Sequence, residues 1–464
     1  MGASSQAAAR RPAAALAAKY GANVPRYTSY PTAPHFHQGI GEAEYRQWLT
    51  TIDPVRPVSL YVHVPFCRTL CWYCGCHTQV ARQRAPVAAY VETLLQEIAL
   101  TREALRAGRV DRLAASALHL GGGTPNILAA DDLDRIFAAL RDVAVFTPDA
   151  EVAAEIDPRE LTPDFVTAAR RNGLNRASVG VQDIEGAVQA AINREQPWAV
   201  TEAAIRMLRD AGVPSVNVDL LYGLPYQTVD SVRETLARMI ALRPDRIALF
   251  GYAHVPWMKP AQKLLPQDAL PDTEARHAQQ TAAAGMLRAA GYQRIGLDHF
   301  ARPGDAMARA VAAGTVHRNF QGYTTDAADT LIGFGASSIG RLPGGYVQNL
   351  SNVAGWRAAI DAGRLPVARG IALTGDDRLR GAIIEQLMCG FRVDLGRYAD
   401  HPDLAGDHLR TELSRLQPFI DDALLERDGM SLSVTEAGRP FVRSIAAVFD
   451  SYLGKSAARH SAGV

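Results

Sequence analysis

No stretch of this 464-residue chain approaches the roughly 20 consecutive apolar residues that cross a bilayer as a helix. Its opening lacks the succession of charge, apolar block and small-residue cleavage site that marks a secretory signal. An excess of one charge is also missing: 49 Lys and Arg face 48 Asp and Glu, a net of +1, and the basic residues are spread along the chain. That distribution offers neither a nucleic-acid stripe nor a membrane-surface patch. Cysteine is scarce, with five in all, four of them crowded between Cys67 and Cys76 and the fifth alone at Cys389. Such spacing excludes the even disulfide framework of a small secreted fold and suits a reducing compartment, so a cytoplasmic location is expected. Solenoid repeats and long low-complexity linkers are absent as well. With 48% apolar residues, the chain can bury a large core, and one big domain plus a smaller one is expected.

The first 19 residues, "MGASSQAAARRPAAALAAK", lack acidic side chains and carry Arg10, Arg11 and Lys19, a composition shared with mitochondrial transit peptides. Because alanine and arginine are abundant throughout the chain, we read residues 1–19 as a disordered tail, with the fold starting near Tyr20. Short β-like runs then recur at 58–65, 116–123, 151–158, 175–182, 215–223 and 246–253. Between them, segments 88–107, 131–141, 198–211 and 229–242 return apolar residues every three or four positions, as amphipathic helices do. Strands alternating with helices predict an α/β fold in which a parallel sheet, barrel or doubly wound, is wrapped by helices. The strand ends carry Gly121 to Gly123, Glu155, Gln182, Asp219 and Ala253, where the loops of such a sheet build a site. From about Arg369 the pattern turns mainly helical, with a helix expected around 409–426 and a small β-hairpin at "GMSLSV". The expected division is a catalytic domain over 20–368, including an N-terminal lid segment, and a C-terminal domain over 369–464.

"CRTLCWYCGC" follows directly on the apolar run "VSLYVHVP", so Cys67, Cys71 and Cys74 sit on a short loop where three thiolates can converge on one inorganic centre. Three thiolates on a four-iron cluster leave one iron open to a small molecule. Cys76 keeps a second arrangement open, as a fourth thiolate to the cluster or as part of a structural zinc site, although zinc normally takes two separated pairs of ligands. Unligated thiols so crowded would be prone to oxidation. Cys389, in an apolar helical stretch, reads as a small core residue.

The C-x3-C-x2-C spacing after a strand, followed by "HLGGGTP", resembles the radical S-adenosylmethionine (SAM) enzymes. The segments "RYTSYPT", "EIDPRE", "SVGVQD", "NREQ", "NVDLLYGLP", "GYAHVPW", "GLDHFARP", "NFQGYTT" and "LMCGF" narrow it: the chain resembles the oxygen-independent coproporphyrinogen III oxidase (dehydrogenase) family over most of its length. The resemblance implies a partial (βα)6 radical SAM barrel with a smaller, mainly helical C-terminal domain. It implies a [4Fe–4S] cluster held by Cys67, Cys71 and Cys74, with SAM on the fourth iron and Cys76 not a ligand. Tyr61, Tyr73, Gly122, Glu155 and Ile339 would contact that SAM, Gly122 because a backbone without Cβ lets the cofactor approach. A second SAM-shaped site is matched by Gly123, Thr124, Gln182, Arg194, Asp219 and Ala253, giving one or two SAM molecules per chain.

The implied chemistry uses a 5′-deoxyadenosyl radical to oxidise two propionates of coproporphyrinogen III to vinyl groups, giving protoporphyrinogen IX with loss of CO2. The implied partners are that substrate and a reductant protein, with neither nucleic acid nor membrane, and a monomer is expected. Arg26, Lys259 and Arg302 are candidate holders of the substrate carboxylates, and His299 a candidate orienting or proton-exchanging group. Two relatives of the scaffold would differ in chemistry: a haem-binding chaperone without decarboxylase activity, and a haem-degrading methyltransferase. "NREQ", "CGC" and "RYTSYPT" favour the oxidase.

Overall fold

The structure, a computed structural model, describes residues 13–21, 23–398 and 409–454. Its centre is a run of parallel strands: β1 (Val58–Val64), β2 (Leu113–Gly122), β3 (Ala144–Ile156), β4 (Arg176–Gln182), β5 (Ser215–Tyr222), β6 (Arg246–Gly251) and β7 (Leu331–Phe334). They lie in the order β7-β1-β2-β3-β4-β5-β6, each pair parallel. Antiparallel strands extend both edges: Ile339–Leu342, Gly345–Asn349 and Val367–Ala372 beyond β7, and His299–Ala301 and Gln293–Ile295 beyond β6. The sheet thus has twelve strands among the described residues and two unjoined edges, a partial α/β barrel. Strands covered on both faces read as nearly continuous apolar runs. In β1 every residue except Tyr61 is buried.

Helices Arg84–Ala107, Ala130–Val143, Pro163–Arg171, Trp198–Asp210 and Val229–Ala241 connect successive strands. Each presents one apolar stripe to the sheet. In Ala130–Val143 it is Leu133, Ile136, Phe137, Leu140 and Val143, all buried. Among the described residues, no helix is long and apolar enough to cross a membrane.

A buried carboxylate locks the region after β7. Glu97, 2% exposed on Arg84–Ala107, accepts hydrogen bonds from Gly335 N at 2.7 Å, Asn349 Nδ2 at 2.6 Å and Trp356 Nε1 at 3.2 Å. Beside it, the Tyr90 hydroxyl donates to His63 O at 2.8 Å and accepts from Ala336 N at 2.9 Å. Gly335 has φ +93°, and a Cβ there would come within 2.4 Å of the Tyr90 oxygen. The loop leading to Ile339 is therefore fixed by a network of satisfied polar groups in an apolar setting.

The chain divides into two compact units. One comprises Phe36–Thr315 and Thr324–Leu373, the barrel. The other joins the described residues up to His35, Val316–Tyr323 and the described residues from Thr374 onward. This grouping departs from the expected division at 368/369: the "RYTSYPT" segment packs with the C-terminal residues and not within the barrel unit. Tyr20 stacks on Phe419 with centroids 4.4 Å apart. The Tyr27 hydroxyl donates to Asp450 Oδ2 at 3.0 Å, and Arg443 Nε donates to Pro25 O at 3.1 Å. Residues 1–12 of the expected disordered tail lie outside the described residues, but 13–19 do not fit it, because Ala13–Tyr20 is a helix. Alanine is the best helix former, and Leu16 and Tyr20 of that helix are buried.

Helix Gly375–Gly390 anchors this second unit, with Arg380 Nη1 donating to Glu412 Oε1 at 2.9 Å. The helix expected at 409–426 is instead two short ones, Arg410–Arg415 and Gln417–Asp421, followed by strand Leu425–Asp428. Pro418 starts the second helix, and Ala423, at φ +56°, turns the chain out of it. Leu425–Asp428 and Ser431–Val434 form the hairpin read from "GMSLSV", and Arg392–Asp394 adds a third strand.

Candidate active site

The cysteine loop leaves the C-terminal end of β1 and is closed at its base, where Phe66–Cys67 pairs with Gln79–Val80. Contacts from distant segments pin its interior. Asn193 Nδ2 donates to Leu70 O at 2.8 Å, Trp72 N to Ile192 O at 3.0 Å, and Gln262 Nε2 to Tyr73 O at 3.0 Å. Lys259 Nζ donates to Cys76 O at 3.0 Å.

Each of the three spaced thiols meets different donors. Cys67 Sγ lies 3.2 Å from Thr78 Oγ1 and accepts from Thr124 Oγ1 at 3.3 Å. Cys71 Sγ accepts from two guanidinium groups, Arg194 Nη1 at 3.5 Å and Arg159 Nη2 at 3.7 Å. Cys74 Sγ accepts from Cys76 N at 3.4 Å. Burial pushes the Cys67 thiol up, with the two hydroxyls acting against it. The Cys74 thiol is pushed down to about 7, first by a hydrogen bond from the Cys76 side chain, with Lys259 and Arg194 adding to it. Cys76 moves the other way, upward, chiefly because of its hydrogen bond and charge interaction with Cys74.

Glu155 ends β3 beside this loop. Its Oε2 accepts from Gly122 N at 3.0 Å, and its Oε1 lies 3.3 Å from His119 Nε2. Tyr61 stacks on His119, and its hydroxyl lies 2.9 Å from Nδ1 of His63, whose pKa burial lowers. Tyr61 is paired in register with Gly333, where a Cβ would meet Ile339 O at 2.9 Å, so Ile339 backs onto the same strand end. Gly122 and Glu155 thus meet at the ends of β2 and β3, with Tyr61, midway along β1, beside them and the carbonyl of Ile339 against Gly333 of β7.

A second group occupies the ends of β4 to β6. Arg194, 5% exposed, donates through Nη2 to Gly180 O at 2.5 Å, and Gly180 is the register partner of Asp219. Asp219 accepts from Ser178 Oγ at 2.8 Å and Asn217 Nδ2 at 2.6 Å, and burial raises its pKa. Gln182 has φ +69°, and a Cβ on Gly180 would lie 3.1 Å from its amide nitrogen. Gln262 Nε2 joins Ala253 O, at 3.2 Å, to the carbonyl of Tyr73. Gly123, whose Cβ would meet Phe66 O at 2.6 Å, carries the chain from β2 to Thr124.

The comparisons with known proteins agree with this architecture. Residues 61–239 match the model of the Radical SAM superfamily, and residues 373–441 match the HemN C-terminal domain. The oxygen-independent coproporphyrinogen III oxidase of Bradyrhizobium diazoefficiens is 50% identical over 450 residues, 97% of this chain and 99% of that one. That of Escherichia coli is 41% identical over 444 residues, 96% of each chain. The chain belongs to the oxygen-independent coproporphyrinogen III oxidase family. A solved structure described as coproporphyrinogen III oxidase (HemN) from Escherichia coli, a radical SAM enzyme, superposes with a TM-score of 0.87 at 40% identity, covering 92% of this chain and 98% of that one.

Membership in this radical SAM family implies an iron–sulfur cluster and SAM, and the residues present fit both. Each sulfur of the triad has donors that offset thiolate charge, a familiar setting for cluster ligands. Among the described residues, no three His, Cys, Asp or Glu gather as a single-ion site. Arg194 Nε and Asn217 Oδ1, beside this site, are among the buried polar atoms that have no protein partner. Gly122, at φ +117°, is where a Cβ would sit 2.7 Å from the His63 ring, so only glycine fits this bend.

Some sequence candidates lie elsewhere. Arg302 follows the antiparallel strand His299–Ala301, which runs back along β6, so it stands at the N-terminal ends of the strands, its backbone N on Asp245 O at 3.0 Å. This corrects the expectation that it lines the site. Arg26 belongs to the other unit and is exposed. His299 is buried, its Nδ1 2.7 Å from Asp298 Oδ1. Cys389 is buried, and burial raises its thiol pKa. Sequence reasoning missed Asp157, Arg159, Ser178 and Asn217. In "EIDPRE" the signal for Arg159 is visible, an arginine four residues after Glu155 and beyond a proline turn.

Proposed function

We propose that this chain converts coproporphyrinogen III to protoporphyrinogen IX without oxygen, by oxidative decarboxylation of two propionate side chains. The observation that carries the reading is the cysteine loop at the end of β1, set beside Glu155 and Gly122 in a family member of full relative length. Cys67, Cys71 and Cys74 would hold a [4Fe–4S] cluster, with Cys76 left as a hydrogen-bond donor to Cys74. When bound, the cluster and SAM supply a 5′-deoxyadenosyl radical that abstracts a substrate hydrogen.

The remaining work falls to the chain's own groups. Glu155 would accept the hydroxyls of a SAM ribose while Gly122 N fixes its rotamer, and Tyr61, Tyr73 and Ile339 would flank that molecule. Arg194 and Asp219, with Gly123, Thr124, Gln182 and Ala253, would receive a second SAM or part of the substrate, the guanidinium facing a carboxylate and Asp219 facing hydroxyls or an amine. Lys259, beside the cysteine loop, suits a substrate propionate. Holding the reacting groups in place and excluding water protects a carbon radical from side reactions. A low-potential reductant protein, a cytoplasmic setting, a monomeric state and a lid role for the N-terminal segment complete the proposal.

Substrate-dependent release of 5′-deoxyadenosine from SAM by the anaerobically reconstituted protein tests it. SAM cleavage that stays at background when coproporphyrinogen III is added would argue against the assignment.

A further inference from the structure

The three spaced cysteines are not electrostatically equivalent. Cys67 meets two neutral hydroxyls and Cys74 a backbone N–H and a thiol, whereas Cys71 alone accepts from two cations, Arg194 at 3.5 Å and Arg159 at 3.7 Å. Arg159 stands on the short turn Pro158–Glu160 that follows β3. Asp157 caps that turn: its Oδ1 accepts from Arg159 N and Nε, both at 3.0 Å. Its Oδ2 accepts from Arg159 Nη2 at 2.6 Å and Arg194 Nη1 at 3.3 Å. Asn126 clamps the Asp157 backbone on both sides, through N at 2.9 Å and O at 3.0 Å. The result is a rigid Arg159–Asp157–Arg194 triad whose two guanidinium groups touch one sulfur and whose carboxylate stands behind them.

We propose that Arg159 is a positioning residue that sets the charge at the Cys71 sulfur and raises the reduction potential of the cluster ligated there, with Asp157 as the opposing term. This rests on the cluster assignment of the preceding subsection. Hydrogen bonds to cluster sulfurs and nearby charge are the protein's levers on potential. A cation donating to a ligand sulfur stabilises the reduced, more negative cluster. Asp157 is largely buried, and its carboxyl is held below the usual range by Arg159 and Arg194 against the cost of burial, so it stays charged. Its negative charge partly cancels the effect of the two guanidinium groups on the sulfur. In a poorly hydrated setting such charges act more strongly than at the surface. The arrangement therefore makes two predictions of opposite sign.

The test is a potentiometric titration of the reconstituted full-length protein, followed by electron paramagnetic resonance of the reduced cluster, with iron and sulfide assayed for every variant. Arg159→Gln is expected to shift the midpoint potential downward and Asp157→Asn upward, with Arg159→Lys lying between Arg159→Gln and the unaltered protein. A midpoint unchanged in Arg159→Gln at full iron content would overturn the proposal, as would shifts of the same sign in Arg159→Gln and Asp157→Asn. Should Arg159→Gln fail to retain iron, the opposite-sign shift in Asp157→Asn and the partial one in Arg159→Lys decide. An unaltered protein that takes up no iron and sulfide would instead overturn the cluster assignment itself, a result distinguishable from failure of the tuning.

Discussion

Glu155 Oε2 accepts a hydrogen bond from Gly122 N at 3.0 Å, tying the last turn of β3 to the glycine bend after β2. The bond fixes one carboxylate oxygen and leaves the group 38% exposed, so it is both oriented and open to a ligand. Charge-assisted hydrogen bonds contribute about 1.5–3 kcal/mol each. Glu155→Ala is therefore expected to weaken SAM binding by roughly 10- to 100-fold while iron content stays unchanged, as equilibrium binding to the reconstituted protein would measure. Unaltered affinity would remove Glu155 from the SAM site.

Serine in place of each cysteine separates ligands from neighbours. Cys67→Ser, Cys71→Ser and Cys74→Ser should each lose most of the iron and sulfide after reconstitution, while Cys76→Ser keeps the full complement. Loss of iron in Cys76→Ser at a level matching the other three would make it a fourth ligand.

Glu97 gives the barrel a pH dependence of defined sign. Burial pushes its carboxyl up to about 7 against three hydrogen-bond donors. Between the unfolded value near 4.5 and about 7, the folded state binds more protons than the unfolded one, so stability falls as pH rises through this window. The slope is at most about 1.4 kcal/mol per pH unit. Thermal unfolding from pH 4.5 to 8 should show this decline. Glu97→Gln should flatten the profile from a lower starting point, because its amide nitrogen faces groups that only donate. A slope that survives in Glu97→Gln assigns the effect to other groups.

Tyr27→Phe deletes the hydroxyl that donates to Asp450 Oδ2 in the second unit. A loss of about 1 kcal/mol is expected, read as a lowered unfolding temperature, with cluster loading unchanged.

The parallel strands were legible because each is a short apolar run ending in small or polar residues, and five of the six expected strands match the observed ones to within three residues at either end. The exception, β3, begins at Ala144, seven residues earlier than expected. Long-range pairing was not legible. Tyr20 and Phe419 stack across almost the whole chain, and no local pattern announces that the N-terminal segment belongs with the C-terminal residues. "NREQ" was recognised, but the work of Asn193 and Arg194, holding Leu70 and Cys71 from 123 residues away, appears only in three dimensions. Glu97 reads as a surface charge by type. Its phase shows otherwise, since it lies three residues after Leu94 and four before Thr101, both buried on the same helix face.

The most direct measurement is anaerobic: the reconstituted protein is supplied with SAM, a low-potential reductant and coproporphyrinogen III, and the products are followed by mass spectrometry. Our account predicts loss of two CO2 per substrate, with 5′-deoxyadenosine formed alongside. Tight haem binding without any decarboxylation would contradict it.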